Sequence, residues 1–394
     1  MSSKLAAEVI FSASVAALVY TYAGYPLLVW LVSRLRPRPL RRAHWTPSIS
    51  VIITAYNEEL VLAAKLENTL ALSYPPELLE IIVASDCSTD QTDEIARAFS
   101  QRGVKLVRQS MRLGKTAAQN AAVNEASGEI IVFSDATSKY DAAVLQALVP
   151  NFADATVGCV AGRLVYVDGA DSRVGSAARS YWSYETFLRR HESRAGSLIG
   201  APGCLYAVRK SAYVPLPHEA CSDFIIATKM IEQGLRAVYE PGAVCTEETN
   251  RRAADEFRMR VRIIAQTLTD LWRHRAMMNP WRSGFYAIQL WSHKVMRYAV
   301  PLFSLATLLS AAALAFQSRI YLAVAVLQLA FYASAFMGWA GERLGVRHRL
   351  LSLPRYFVLA NVAAVVAFHK FLNGERYASW EPLREPAQPV SAKP

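Results

Sequence analysis

Residues 48–59 read SISVIITAYNEE, a run dominated by Ile49, Val51, Ile52, Ile53 and Thr54 that stops abruptly at a polar cluster. A short β-branched run closed at once by polar groups predicts a strand. The pattern recurs at residues 80–85 (EIIVAS), 104–108 (VKLVR) and 130–134 (IIVFS). Between these runs, residues 59–72, 91–101 and 115–126 have the composition and apolar spacing of surface helices, and Tyr74-Pro75-Pro76 punctuates the first connection. Strands alternating with helices in this way predict an α/β fold with a largely parallel sheet.

Ligands of open α/β sheets bind beyond the carboxyl ends of the strands, so the residues just past each run carry the chemistry. Tyr56-Asn57-Glu58-Glu59 follow the first run, Asp86-Cys87-Ser88-Thr89-Asp90 the second and Asp135-Ala136-Thr137 the fourth. Three strand ends thus bring carboxylates and amides to one edge. Neither GxGxxG nor GxxxxGK[ST] occurs among these turns, which speaks against a dinucleotide-dependent dehydrogenase and a P-loop ATPase. A plainer role competes at the second strand end, because Asp86, Ser88 and Asp90 also suit capping of the next helix.

Across 394 residues, 43 Lys and Arg against 32 Asp and Glu give a net charge of +11, and 53% of residues are hydrophobic. That composition excludes an acidic disordered chain and supports sizeable cores. The five cysteines lack CxxC spacing and the seven histidines lack HExxH, so no zinc site is expected and any metal must rest on carboxylates. The positive charge has a membrane explanation. Residues 9–33 are uncharged and long enough to span roughly 30 Å of hydrocarbon. Arg34, Arg36, Arg38, Arg41 and Arg42 follow that block and only Lys4 precedes it, which places the following domain in the cytoplasm. Residues 298–318 and 320–341 read as a transmembrane hairpin, returned to the same side by Arg343, Arg347, Arg349 and Arg355. Residues 280–297 mix aromatic and cationic side chains as an interfacial helix does. The apolar block at 356–369 is short, and whether it spans, and so where the tail lies, stays open. The expected organisation is a membrane helix over 1–35, a cytoplasmic domain over 36–279, the interfacial helix over 280–297, a membrane region over 298–372 and a tail over 373–394. No zinc finger, RNP or helix-turn-helix signature supports a nucleic-acid partner.

Six segments in order, SVIITAYNEE (50–59), SDCSTDQT (85–92), GKTAAQNAA (114–122), SDAT (134–137), CSDF (221–224) and RMRVRI (258–263), resemble the membrane-integrated family 2 glycosyltransferases of GT-A fold, which include cellulose, chitin and hyaluronan synthases. The resemblance covers about residues 48–263 and, more loosely, the flanking helices. It implies a GT-A catalytic domain between transmembrane helices, embedded in the cytoplasmic membrane. It also implies inverting transfer of a sugar from a UDP-sugar to a growing polysaccharide or a lipid-linked glycan, with Mg²⁺ or Mn²⁺ as cofactor. Its alternatives are single addition to a polyprenyl-linked acceptor and a non-catalytic nucleotide-sugar-binding subunit. The implied partners are donor, acceptor, bilayer and an export or assembly protein.

Residue by residue, the resemblance implies nucleotide binding by Tyr56, Asn57, Glu58 and Asp86, with Lys115 and Asn120 near the nucleotide or donor sugar. Asp135 would hold the metal. Thr137 stands where a full DxD motif has its second acid, so Asp135 is left as the one strong protein ligand of that motif. Asp223 matches the general base and Arg262 the arginine that stabilises the departing diphosphate. Trp182, Gly203 and Arg258 fall on the acceptor side. Processive synthases carry Gln-x-x-Arg-Trp where this chain has Met259-Arg260-Val261-Arg262-Ile263, which puts processivity in doubt.

Overall fold

The protein is described here from a computed structural model covering residues 3–167, 175–248, 253–344 and 349–379; for residues 175–182, 343 and 349 it describes the backbone alone. Among the described residues, eight strands form one sheet: β1 (Ile49–Ala55), β2 (Leu79–Ser85), β3 (Val104–Arg108), β4 (Ile130–Asp135), β5 (Lys139–Tyr140), β6 (Val157–Val167), β7 (Leu205–Arg209) and β8 (Arg236–Glu248). Their order is β3-β2-β1-β4-β7-β6-β8-β5. The first four are mutually parallel, as the alternating pattern predicts, whereas β7 runs antiparallel to both β4 and β6. Both faces of β1 are covered, Val51, Ile53 and Ala55 joining one core and Ile52 the other. Double coverage explains the unbroken apolar run, because no position on the strand is left for water.

Parallel pairing of β1 with β2 and β4 puts the carboxyl ends of all three strands on one edge. Thr54 stands level with Asp135, and Ala55 level with Ser85. The polar residues that follow therefore emerge side by side.

Helices of suitable length and apolarity to cross a membrane run over Ser3–Leu35, Arg319–Glu342 and Leu350–Leu372. Two segments have bounds that differ from those the charges suggested. The segment expected as a full span over 298–318 is a shorter helix, Val300–Ala313, bent by 57° from the preceding helical stretch Phe285–Tyr298. Pro301, in the first turn of that second helix, cannot donate an amide hydrogen to the stretch before it. Conversely, the block at 356–369 is only part of a 24-residue helix, Arg349–Leu372. Charge-bounded counting stopped it at Arg355, but that guanidinium is ion-paired with Glu342 of the preceding helix and so does not end the element.

Polar contacts fasten the apolar helices to the rest of the fold. His293 Nδ1 pairs with Glu192 at 2.7 Å, Arg297 with Glu185, and Tyr20 Oη meets Ser292 Oγ at 2.7 Å. The Arg349–Leu372 helix lies along the Ala253–Arg273 helix, with Ala363, Ala364 and Ala367 against Val261, Ile264 and Ala265. Small residues on one side permit that close approach. Beyond it the chain returns to the sheet and its helices: Gln266 Nε2 donates to Tyr377 O at 2.8 Å, and a β-carbon on Gly114 would meet Ala378 O at 1.9 Å. The tail as far as Ser379 thus packs near the loop that enters the Lys115–Glu125 helix.

Candidate active site

The first strand end turns through Asn57 in the left-handed region, at φ 52°, a conformation that asparagine tolerates better than most residues. Asn57 Oδ1 accepts from Thr89 N at 2.7 Å, and its own amide donates to Ser88 Oγ at 3.1 Å. Asn57 therefore ties the ends of β1 and β2 together. Glu58 is buried, and its amide donates to Thr92 Oγ1 at 2.6 Å. Tyr56 lies beneath Arg112, whose guanidinium carbon is 3.8 Å from the ring centroid.

Asp86 is fully buried and accepts from Leu113 N at 2.9 Å and from Gly114 N at 2.9 and 3.0 Å. Its carboxylate positions the loop entering the Lys115–Glu125 helix rather than capping the helix that follows β2; Asp90 does that, accepting from Thr92 N at 3.0 Å. Asn120 faces elsewhere: its amide donates to Leu216 O at 2.7 Å and accepts from Leu216 N at 3.1 Å and Tyr213 Oη at 2.8 Å.

Three residues distant in sequence, Lys115, Asp135 and Asp223, converge at Gly203. Lys115 Nζ is hydrogen-bonded to Asp135 Oδ1 and lies 3.4 Å from Gly203 O. A β-carbon on Gly203 would stand 2.9 Å from Asp223 Oδ2 and 3.3 Å from Lys115 Nζ. Burial pulls the Lys115 ammonium down, but the carboxylates of Asp135 and Asp223 outweigh it and leave the group above its ordinary value. Asp223 is the second residue of the Ser222–Glu232 helix, and Cys221 Sγ donates to its Oδ1 at 3.0 Å. Asp270 Oδ2 accepts from Cys221 N at 2.9 Å, anchoring the start of that helix. Burial, reinforced by Asp223 and Glu219, pushes the Asp270 carboxyl up to about 7 against the Cys221 amide and Arg273.

Of the three arginines in RMRVRI, the structure directs one to this cluster. Arg262 feels Cys221, Asp223 and Asp135, which partly offset the lowering that burial imposes on it. Arg260 is bound to Glu256 at 2.7 Å and to Tyr356 Oη, and Arg258 to Asp255 at 2.5 Å on the exposed side. Helical spacing separates Arg260 from Arg262, since positions two apart point to different faces, whereas Arg258, one turn before Arg262 on the same side, is drawn to Asp255. Trp182 lies on the Gly175–Ala195 helix, and its side chain is outside the described residues.

The structure adds residues that sequence reasoning missed. Glu247, at the end of β8, accepts from Thr137 Oγ1 at 2.9 Å, and burial together with Asp135 pushes its carboxyl up to about 7. Lys65 Nζ, buried, donates to Ser138 Oγ at 3.2 Å and lies 3.7 Å from the centroid of Tyr140. Arg112, just ahead of Gly114-Lys115, could have been suspected from its position in a motif; Glu247, Lys65 and Asp270 carry no local signal. Hard oxygen donors at Asp135 suit a divalent cation, and the Lys115 ammonium already stands against that carboxylate as a positive charge would. Among the described residues no group of three His, Cys, Asp or Glu could hold a metal, so phosphate and water oxygens would have to complete its coordination.

Residues 50–214 match the family described as glycosyl transferase family 2. The chain is 26% identical over 217 residues to the probable glycosyltransferase YdaM of Bacillus subtilis (strain 168), covering 51% of each chain. It is 24% identical over 288 residues to a poly-beta-1,6-N-acetyl-D-glucosamine synthase of Staphylococcus epidermidis, covering 68% of this chain and 65% of that one. The chain spans about half the length of the first of these curated relatives. Among solved structures, the mannosyltransferase PcManGT from Pyrobaculum calidifontis, in complex with GDP-Man and Mn2+, shares the fold at a TM-score of 0.70. That likeness carries 24% identity and covers 92% of this chain and 99% of that one. Residues 50–214 thus match the glycosyl transferase family 2 model, within a GT-A-like fold flanked by apolar helices long enough to cross a membrane.

Proposed function

We propose that this chain is an inverting glycosyltransferase of the cytoplasmic membrane that moves a sugar from a UDP-sugar to a growing polysaccharide or lipid-linked glycan. The observation that carries the reading is the meeting of Lys115, Asp135 and Asp223 around Gly203, with Arg262 beside them. The name of the Staphylococcus epidermidis relative, a polysaccharide synthase, supports the substrate class. The positive-inside pattern supports a cytoplasmic catalytic domain, and the tail's return to that domain requires an even number of crossings after it.

Each group has a task in that reaction. Tyr56, Asn57, Glu58 and Asp86 shape the nucleoside end of the pocket, and Asp86 does so through the loop amides it already holds. Asp135 would hold Mg²⁺ or Mn²⁺, which when bound neutralises charge on the diphosphate. Lys115 and Arg262 add positive charge on the leaving-group side, where it counts most as the glycosidic bond breaks. Asp223 takes the proton of the acceptor hydroxyl as that oxygen attacks the anomeric carbon from the face opposite the diphosphate. The Cys221 thiol and the Asp270-anchored helix start keep its carboxylate aimed at the Gly203 gap.

Replacing Asp223 by Asn keeps shape and removes the base. Nucleotide binding, read by calorimetry with UDP and Mg²⁺, should persist while UDP release from a panel of UDP-sugars disappears; retained turnover would refute the assignment. A second reading, single addition to a polyprenyl-linked acceptor, is favoured by Met259 and Ile263 where processive synthases carry Gln and Trp. Product length separates the two, and UDP binding without turnover on any donor or acceptor would favour the non-catalytic subunit.

A further inference from the structure

We infer that Glu247 is the second protein carboxylate of the metal site, standing in across the sheet for the acid that Thr137 replaces. The inference rests on the proposed function in assigning a divalent cation to Asp135.

Its basis is topological. After β4 the chain makes a tight turn through Ala136, Thr137 and Ser138 into β5, whose Lys139 and Tyr140 pair antiparallel with Thr246 and Cys245 of β8. Continuing that register by one residue sets Glu247 opposite Ser138, at the same turn that carries Asp135. The contact follows: Thr137 Oγ1 donates to Glu247 Oε1 at 2.9 Å. The second position of the Asp-x-acid pattern therefore holds a hydroxyl in sequence and has a carboxylate docked on it in space. Thr137 positions that carboxylate, since its single proton occupies one lone pair of Oε1 and leaves the remaining acceptor capacity of Glu247 available.

Charge and donor chemistry agree with this reading. Asp135 and Glu247 are flanked by cationic side chains, Lys115 on Asp135 and Lys65 on Ser138 of the connecting turn. Such compensation is what two like charges held together would otherwise lack. A hard divalent ion favours carboxylate oxygens, with the donor's phosphates and water completing its coordination. A metal held by one carboxylate alone would bind more weakly and with less defined geometry.

The test uses the full chain in detergent and reads Mn²⁺ binding by loss of the free-ion paramagnetic resonance signal, with UDP and, separately, GDP present. Glu247→Gln keeps the size of the side chain and its bond from Thr137. It should weaken Mn²⁺ binding by on the order of 10–100-fold, at least the loss seen when a supporting partner of a metal ligand is removed. Adding Thr137→Asp to that variant restores a carboxylate at the same place and should recover most of the affinity. Binding by Glu247→Gln within twofold of wild type overturns the inference while leaving the metal reading of Asp135 standing. A double variant no tighter than Glu247→Gln also overturns it, because Glu247 would then act through the fold. Absence of Mn²⁺ binding by wild type with either nucleotide overturns both the inference and the metal dependence on which it rests.

Discussion

Gly203→Ala tests the geometry of the proposed reaction centre with a single methyl group. The added β-carbon would stand 2.9 Å from Asp223 Oδ2, whereas ordinary contact begins at 3.4 Å, so the carboxylate must withdraw by about 0.5 Å. Lys115 Nζ, at 3.3 Å, needs only a slight shift. Both obstructing atoms end flexible side chains, so the fold should absorb the change. Transfer should not, because a misplacement of about 1 Å at a reacting group costs roughly 10²-fold. Half that displacement, next to the proposed base, predicts a fall in kcat of roughly 10-fold, or about 1.4 kcal/mol in the activation barrier. Affinity for the nucleoside diphosphate should stay within about twofold, since the base acts on the acceptor. The assay is the rate of UDP release at saturating donor, paired with calorimetric titration of UDP. Gly196→Ala is the control, as a β-carbon there meets nothing within 4 Å. Turnover by Gly203→Ala equal to that of Gly196→Ala, with both folded, would refute placement of the reaction beside Gly203.

Two further outcomes follow from the same site. Arg262→Ala should lower kcat by about 10²–10³-fold, the range for losing a group that stabilises developing negative charge, with a smaller change in UDP affinity; a loss below threefold in a UDP-release assay would remove Arg262 from the reaction. Asp270→Asn tests the buried carboxyl pushed up to about 7, facing Asp223, Glu219, Arg273 and the Cys221 amide. A carboxyl raised on folding favours the protonated state, so its stabilising share is complete below its unfolded value near 4 and is lost as pH rises through about 7. Asparagine resembles the protonated form and still accepts from the Cys221 amide. The variant should therefore melt higher than wild type at pH 8, with the difference vanishing towards pH 4; a difference independent of pH would contradict this account.

Three of the four parallel strands, β1, β2 and β4, were legible because each is covered on both faces and reads as an apolar run that water cannot interrupt, whereas β3 lies at the sheet edge with Lys105 and Arg108 exposed. Their order in the sheet then carried Tyr56, Asp86 and Asp135 to one edge, since polar residues at the ends of parallel strands share a side. β6 and β8 were not read in advance. The apolar segments after residue 280 were read through their bounding charges, which do not mark a helix end where a charge is neutralised by a partner. Arg355 looked like a boundary and is held by Glu342, while Pro301 lay inside an uncharged run and shortened it. In RMRVRI the resemblance singles out Arg262, but only packing shows Arg258 and Arg260 engaged by Asp255, Glu256 and Tyr356.

By itself the sequence determined the α/β class, the strand-end residues, the apolar segments and the six ordered segments that resemble one family, all of which depend on neighbours within a few positions along the chain. Tertiary structure alone decided that Asn120 serves the 213–216 segment, that Glu247 reaches Thr137 from β8, that Asp270 anchors the helix bearing Asp223, and that the tail lies against Gly114. The physical reason is separation along the chain. Periodicity and motif spacing report forces between residues a turn or a strand apart, whereas a hydrogen bond between positions 137 and 247 exists only once sheet register has brought them together.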